Sequence, residues 1–260
     1  MAKSSPVTTV DRLVSVLDSF SPERSGWSLA QLSVHLGLPK STLHRFLVGL
    51  ETHDILGRNQ DDKLWRPGYR LLAWGKLAEK TIDLNQVARP LMKEMAAATG
   101  EMVILTVYSQ REVICIDKID ARHPVRLALE VGSRRPPHAG ASAKALAAFL
   151  PEAERQAIIR GGKLPKLCTN TITDPDELEA ELARIRRQGY ALSIEETDPG
   201  AWGIATPIFD RAGNLAGAIG VAGPIQRYSE DLAQHYVALC QEAGRQVSAQ
   251  LGAPSSARAS

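Results

Sequence analysis

Residues 27–66 constrain the fold most, because two short helical patterns stand there on either side of a Gly-Leu-Pro turn. Ser28 is a good N-cap for the first pattern. The leucines of that pattern follow the spacing of one buried helical face: Leu29, Leu32 and Leu36. Gly37 can adopt the left-handed conformation that ends a helix, and Pro39 suits the first turn of the next helix. Two short helices joined in this way predict a helix-turn-helix.

The second helical pattern begins near Lys40 and has one apolar and one polar face. Its apolar residues are expected to face the core: Leu43, Phe46, Leu47 and Leu50. In a helix-turn-helix, the N-terminal residues of the second helix reach base edges in the major groove, which suits basic and hydroxyl side chains. We therefore predict DNA contacts from the start of both helices: Ser28, Lys40, Ser41, Thr42, His44 and Arg45.

After residue 54 the helical period gives way to the pattern of a short hairpin. Two apolar pairs, at 55–56 and 64–65, flank a polar turn at 59–62. Such a hairpin would be a wing beside the second helix, where basic side chains meet phosphates or the minor groove. The candidates for these contacts are Arg58, Lys63 and Arg66. The alternative interpretation is a three-helix cap with ordinary surface charges.

The chain of 260 residues exceeds the usual size of one domain, and its hydrophobic content of 44% supports more than one core. A formal net charge of +2 is too small to indicate a nonspecific nucleic-acid binder. The cysteines have neither disulfide nor zinc spacing: Cys115, Cys168 and Cys240. We expect no metal or cofactor, no membrane-spanning segment and a cytoplasmic location.

We predict a winged helix-turn-helix domain at 7–70, a helical linker at 71–83 and a second domain at 84–252. A helical stripe should pack against the two helices of the first domain: Val10, Leu13, Val14, Leu17 and Phe20. From Glu101 onward the apolar period falls to two, which indicates an antiparallel sheet. Its strands are predicted at 101–108, 111–119, 125–131, 190–195, 202–209 and 215–221. Helices between and after these strands make the second domain α+β.

Three stretches resemble the IclR family of bacterial transcription regulators over nearly the whole chain. They are LAQLSVHLGLPKSTLHRFLVGLETHDIL in the helix-turn-helix, RRPPHAGASAKALAAFLP before and within a helix, and GYALSIEETDPGAWGIATPIFDRAGNLAGAIGVAGP across the later strands. The resemblance implies a homodimer or homotetramer that binds a double-stranded DNA operator. It also implies a GAF-like C-terminal domain that binds a small organic effector, often a carboxylate or an aromatic catabolite.

The resemblance places an effector pocket at seven positions: Ala141, Ser142, Ile194, Trp202, Gly203, Gly220 and Ala222. Backbone N–H groups at the start of the helix near Ser142 would favour an anion. Glycine and alanine stand where family members that sense very small acids tend to have hydroxyl or thiol groups. We therefore expect a roomier pocket for an aromatic or longer acid. The alternatives are that Ser142 only caps its helix and that the glycines only let strands approach closely.

The pattern as a whole favours a ligand-responsive regulator without enzymatic activity. An enzyme with its catalytic domain at 84–252 is the second hypothesis, although no nucleophile elbow, P-loop or dinucleotide motif is present. An architectural DNA binder without a ligand is the third. Glu195 and Glu196 are not expected to share a catalytic site, because neighbours on a strand point to opposite faces.

Overall fold

The computed structural model describes residues 9–21, 24–59, 61–81 and 83–254, with the side chains of 78–83 left aside. The chain divides into two compact units, residues 1–81 and residues 82–260. The helix at the predicted linker, 71–83, is thereby grouped with the N-terminal unit. Each unit has its own hydrophobic core.

The N-terminal unit contains these elements: α1 (Thr9–Asp18), α2 (Leu29–Leu36), α3 (Lys40–Thr52), β1 (Leu56–Arg58), β2 (Trp65–Pro67) and α4 (Tyr69–Thr81). Ser28 caps α2 in a capping box with Gln31, and Gly37 ends it at a φ of 63°. Pro39 is the N-cap of α3, one residue before the helix itself. The predicted helix-turn-helix is confirmed, because the cap, the left-handed glycine and the proline lie where the sequence requires them.

The core of this unit differs from the prediction in α1. Val10 and Val14 are 66% and 48% exposed, whereas Val16 is completely buried. The inward-facing side chains are those of residues 13, 16, 17 and 20, which lie on one helical face. The prediction that Val10 and Val14 pack against the other helices was therefore wrong. Phe46 in α3 is also only half-buried and lies outside the core cluster. The fully buried members of that cluster include Val16, Leu32, Leu43 and Leu47.

The hairpin pairs β1 with β2 in antiparallel register, with Gly57 opposite Arg66. Trp27 extends this small sheet by a bridge to Trp65. The Trp27 N–H donates to the Trp65 carbonyl at 3.0 Å, and the Trp65 N–H donates back at 2.8 Å. Both tryptophans are buried. The hairpin is therefore fixed to the chain just ahead of α2, which the sequence did not indicate.

The C-terminal unit is an α+β domain, as predicted, built on one antiparallel sheet. Its strands are β3 (Met102–Ser109), β4 (Glu112–Ile119), β5 (Arg134–Arg135), β6 (Ala191–Ile194), β7 (Ala201–Phe209) and β8 (Leu215–Pro224). They lie in the order β5-β4-β3-β8-β7-β6. Its helices are α5 (Asp83–Thr99), α6 (Ala141–Phe149), α7 (Glu152–Arg160), α8 (Pro175–Gln188) and α9 (Glu230–Gln250), with a 3-10 turn at Ile225–Arg227.

The two faces of the sheet carry separate clusters, because side chains alternate along each strand. One face, with Trp202, Ile204 and Val221, packs against α5 and α9. The other face, with Ala205 and Ala218, packs against α6, α7 and α8. This second face also borders the cavity described below.

The strand predicted at 125–131 is wrong: these residues form an irregular loop. Residues 132–135 occupy the outer edge of β4 instead. The Gly132 N–H donates to the Cys115 carbonyl at 2.7 Å, and Val113 pairs with Arg135. The alternating pattern arises because Leu127 and Leu129 pack inward while the residues around them are exposed. Strand β6 also ends earlier than predicted, at Ile194.

Candidate functional site

The polar face of α3 is presented at the N-terminal end of the helix. Four of the predicted contact residues are exposed there: Lys40, Ser41, His44 and Arg45. Thr42 is half-buried. Leu43, Leu47 and Leu50 fix the opposite face of α3 in the core. The helix therefore offers a short basic surface with hydroxyl groups, of a size and polarity that fit the major groove.

Ser28 has a structural task in the same region. Its hydroxyl accepts a hydrogen bond from the Gln31 N–H at 3.3 Å, and its own N–H donates to Gln31 Oε1 at 3.1 Å. The side chain is thus committed to the start of α2. A DNA contact by Ser28 stays a prediction.

The hairpin presents its basic residues in different ways. Lys63 is exposed with a φ of 56°, and the exposed Arg58 guanidinium lies 5.5 Å from the centre of the Trp65 ring. Arg66 on β2 instead pairs with Asp62 in the turn of the same hairpin, at 3.1 Å from Nη1 to Oδ1. This hydrogen-bonded pair lowers the pKa of the Asp62 carboxyl to about 2. Arg66 is therefore held by an internal carboxylate, unlike Arg58 and Lys63.

The C-terminal unit contains a cavity of about 250 Å³ between the sheet and the start of α6. Six of the seven predicted pocket residues line it: Ala141, Ser142, Trp202, Gly203, Gly220 and Ala222. Ile194 does not, because it pairs with Trp202 and packs into the core on the α5 and α9 side. Its neighbour Ser193 lines the cavity instead, as the alternation of side chains requires.

Trp202 borders the cavity, but its indole points to the other side of the sheet. The ring stacks on Tyr236 at 5.7 Å between centroids, and Nε1 donates to the Pro224 carbonyl at 3.0 Å. The side chain therefore belongs to the core between the sheet and α9.

Backbone packing requires a glycine at one of the two cavity positions, 220, but not at the other, 203. A Cβ atom on Gly220 would lie 2.3 Å from the Ile204 carbonyl oxygen, so this glycine is required by the close approach of strands. A Cβ atom on Gly203 would meet nothing nearer than the Ala141 Cβ at 3.5 Å, which is an ordinary contact. Packing therefore explains Gly220 but not Gly203, whose missing side chain leaves space beside α6.

Helix α6 begins at the cavity without a side-chain cap. Gly140, at a φ of 91°, is the N-cap, so Ser142 does not cap the helix. The N–H groups of the first helical residues have no partner within a helix, which makes its N-terminus attractive to an anion. The Gly140 N–H itself donates to Glu196 Oε2 at 3.0 Å.

Glu196 is part of a buried ionic network beneath the cavity. Lys144 Nζ contacts Glu196 Oε1, Glu181 Oε1 and the Leu192 carbonyl oxygen at 2.5, 2.9 and 2.9 Å. Burial raises the pKa of Glu181, but hydrogen bonds from Arg184 and Lys144 outweigh it, and the net pKa is lowered. Glu195, by contrast, accepts from the Gly200 N–H at 2.8 Å. The two adjacent glutamates do not share a site, although both lie after β6 rather than on it.

Polar residues at the cavity that the sequence did not single out include Ser133, Arg135, Thr197 and Asp198. Arg135 and Asp198 form an ion pair, with Nη2 and Oδ2 3.1 Å apart. Sequence patterns gave no signal for them, because the short strand β5 and the loop after β6 are recognised only from their pairing.

A model of the bacterial transcriptional regulator IclR C-terminal domain matches residues 77–249, and one of the IclR helix-turn-helix domain matches residues 9–60. The chain belongs to the IclR family. It is 31% identical over 244 residues to the transcriptional regulator KipR of Bacillus subtilis, covering 94% of this chain and 97% of KipR. It is 29% identical over 248 residues to XynR of Escherichia coli, covering 95% and 98%.

A solved structure of an IclR homolog from Microbacterium hydrocarbonoxydans, complexed with 4-hydroxybenzoate, matches with a TM-score of 0.81. It is 27% identical, and the match covers 94% of this chain and 99% of that one. The relatives of this IclR-family chain are transcriptional regulators and not enzymes.

Within the described parts of this IclR-family protein, no helix is long and apolar enough to cross a membrane. The same residues contain no group of three or more His, Cys, Asp or Glu side chains that could hold a metal ion. Burial raises the pKa of the Cys115 thiol at the cavity to about 11, so it stays protonated near neutral pH.

Proposed function

We propose that this IclR-family regulator binds an operator through α3 and the hairpin, and that a small organic acid in the cavity changes the affinity for that operator. The observation that carries the proposal is the cavity at the uncapped start of α6, in a chain that also exposes a polar α3. An architectural DNA binder would have no use for such a cavity.

For DNA, the proposed base contacts come from the exposed N-terminal face of α3, and the proposed phosphate contacts come from Arg58 and Lys63. This division follows the position of the residues, because a recognition helix reads base edges and a wing meets the backbone. Arg66 would join them only if it leaves Asp62. Ser28 would join them only if it leaves its capping box with Gln31.

For the effector, a carboxylate fits the first N–H groups of α6, near Ala141 and Ser142. The rest of the cavity wall is largely apolar and includes Ile104, Leu127 and Val221. Apolar walls with a few polar groups suit an aromatic or longer acid. The 4-hydroxybenzoate held by the related homolog supports the same class of ligand.

A second copy of the chain is the proposed partner in DNA binding. Large apolar side chains are exposed on the N-terminal unit in α1 and α4: Val10, Val14, Tyr69, Leu72, Trp74 and Leu77. Contact with an identical surface would cover them and present two α3 helices to a palindromic operator. The pairing would also double the phosphate contacts, which the modest net charge of one chain requires.

The proposal is tested by two measurements on the full chain. A thermal-shift screen compares aromatic acids with glyoxylate and pyruvate, and a mobility-shift assay uses the DNA upstream of the gene. We expect an aromatic acid to stabilise the protein and to change its affinity for that DNA. Tight binding of glyoxylate or pyruvate would contradict the ligand class. DNA binding that no acid changes would favour the architectural hypothesis.

A further inference from the structure

The two adjacent arginines of β5 point in opposite directions, as strand neighbours do. Arg134 faces away from the cavity and pairs with Glu112, with 2.8 Å between Nη1 and Oε2. Arg135 lies opposite Val113, and both line the cavity. One guanidinium is thus placed at the cavity wall, and its neighbour supplies a natural control.

The Arg135 guanidinium is held at the cavity by a carboxylate of the protein itself. Besides the 3.1 Å contact to Oδ2, both terminal nitrogens lie 3.4 Å from Asp198 Oδ1. The pair is only partly buried, since the side chains are 34% and 49% exposed. A partly exposed ion pair is weak and can be exchanged for another carboxylate.

The pair adjoins the uncapped start of α6. Thr197, next to Asp198, lies against Gly140, where a Cβ atom would be 3.0 Å from Thr197 Cγ2. Arg135 and the first turn of α6 therefore border the same polar end of the cavity, joined by residues 197–198. Arginine binds carboxylates with two parallel hydrogen bonds, which adds geometric selectivity to charge.

Ser133 gives an independent indication that a polar ligand occupies this end. Its Oγ is buried and has no hydrogen-bond partner among the described residues. The residue lines the cavity two positions before Arg135. Buried hydroxyl groups are normally satisfied, so a group without a protein partner points to a ligand atom or a water that completes it.

We propose that Arg135 is the specificity-determining anchor for the carboxylate of the effector, and that Asp198 occupies its place in the ligand-free protein. This inference rests on the proposed function and deepens it. The ligand carboxylate displaces Asp198 from Arg135, and a second polar atom of the ligand bonds to the Ser133 hydroxyl. The ligand class is a monocarboxylic acid with a further hydrogen-bonding group.

Isothermal titration of the full chain tests the proposal with benzoate, 4-hydroxybenzoate and phenylacetate, and with the amide of each acid. For the acid that binds, Arg135→Gln should weaken binding about tenfold or more, because a hydrogen bond to a charged group is lost. Binding of the amide should change little. Arg134→Gln removes the same charge from the same strand and should leave the binding of the acid and of its amide unchanged.

Asp198→Asn should have the opposite effect on acid binding. Removing the competing carboxylate should tighten acid binding about two- to fivefold, the range expected for a partly exposed ion pair. A merely structural role of the pair predicts that both variants weaken binding. Equal binding by Arg135→Gln and the wild type, or weaker binding by Asp198→Asn, would overturn the inference while leaving the proposed function intact. If no acid binds the wild type, both are overturned.

Discussion

Lys144 and Glu196 form a buried ion pair that joins helix α6 to the loop after β6, with 2.5 Å between Nζ and Oε1. Lys144 is 1% exposed. Because Glu196 also accepts the Gly140 N–H, the lysine fixes the turn from which α6 begins. The polar end of the cavity is therefore positioned by charges that do not face the ligand.

Replacing Lys144 should destabilise the protein strongly. Lys144→Met leaves Glu196 buried without its cation, whereas Glu181 keeps Arg184, and breaking a buried pair in this way costs about 3–5 kcal/mol. Denaturant unfolding of the full chain measures the loss of free energy. Lys163→Met, at an exposed lysine, is the control and should change stability by about 0.5 kcal/mol or less. Equal effects of the two variants would refute the role of the network.

The cavity glycines should respond differently to the same change. Gly220→Ala should cost about 1–3 kcal/mol of stability, because the new methyl group collides with the backbone of β7. Gly203→Ala should leave stability nearly unchanged while it fills space near Ala141 and alters acid affinity. Thermal unfolding and titration with 4-hydroxybenzoate separate these effects. A large stability loss in Gly203→Ala would show that packing requires this glycine as well.

The sequence predicted those parts of the fold that depend on local chemistry. Ser28 and Gly37 define the ends of α2 through caps, and Asp174 begins α8 by accepting from two N–H groups. Periodic apolar residues likewise located the later strands. Such signals depend on neighbours in the chain, which is why they can be read without knowledge of the tertiary structure.

The rest depends on which segments meet in space. The alternating pattern of Leu127 and Leu129 resembles a strand, but their segment does not pair with β4, because β5 occupies that edge of the sheet. Arg135 gained its position at the cavity from that same pairing, and Asp198 from the loop after β6. The family resemblance places Ile194 in the pocket, but side chains alternate along β6, so it is Ser193 that lines the cavity.

The wing contains an internal competitor for DNA. Asp62→Asn frees Arg66 and removes a negative charge, so the affinity for all DNA sequences should rise. The plot of log affinity against log salt concentration should also become steeper, by about one released counterion. Fluorescence anisotropy over a range of salt concentrations measures both. Asp61→Asn removes an equal charge without releasing Arg66. If it steepens the salt dependence equally, release of Arg66 is not the cause.

Lys63→Ala should have the reverse effect. Loss of one proposed phosphate contact weakens binding to specific and unrelated DNA by a similar factor and flattens the salt dependence. The same anisotropy titrations on both DNAs provide the comparison. A loss confined to the specific sequence would assign Lys63 to base reading instead.

If the exposed face of α3 reads DNA sequence, Arg45 should be needed for the preference of the protein for its own operator. Anisotropy titrations compare the upstream DNA with a scrambled duplex, for the wild type and for Arg45→Ala. The wild type should prefer the upstream DNA, and the variant should lose about 1–3 kcal/mol of that preference while its thermal unfolding stays unchanged. An undiminished preference in Arg45→Ala, or none in the wild type, would show that Arg45 on α3 does not read the sequence.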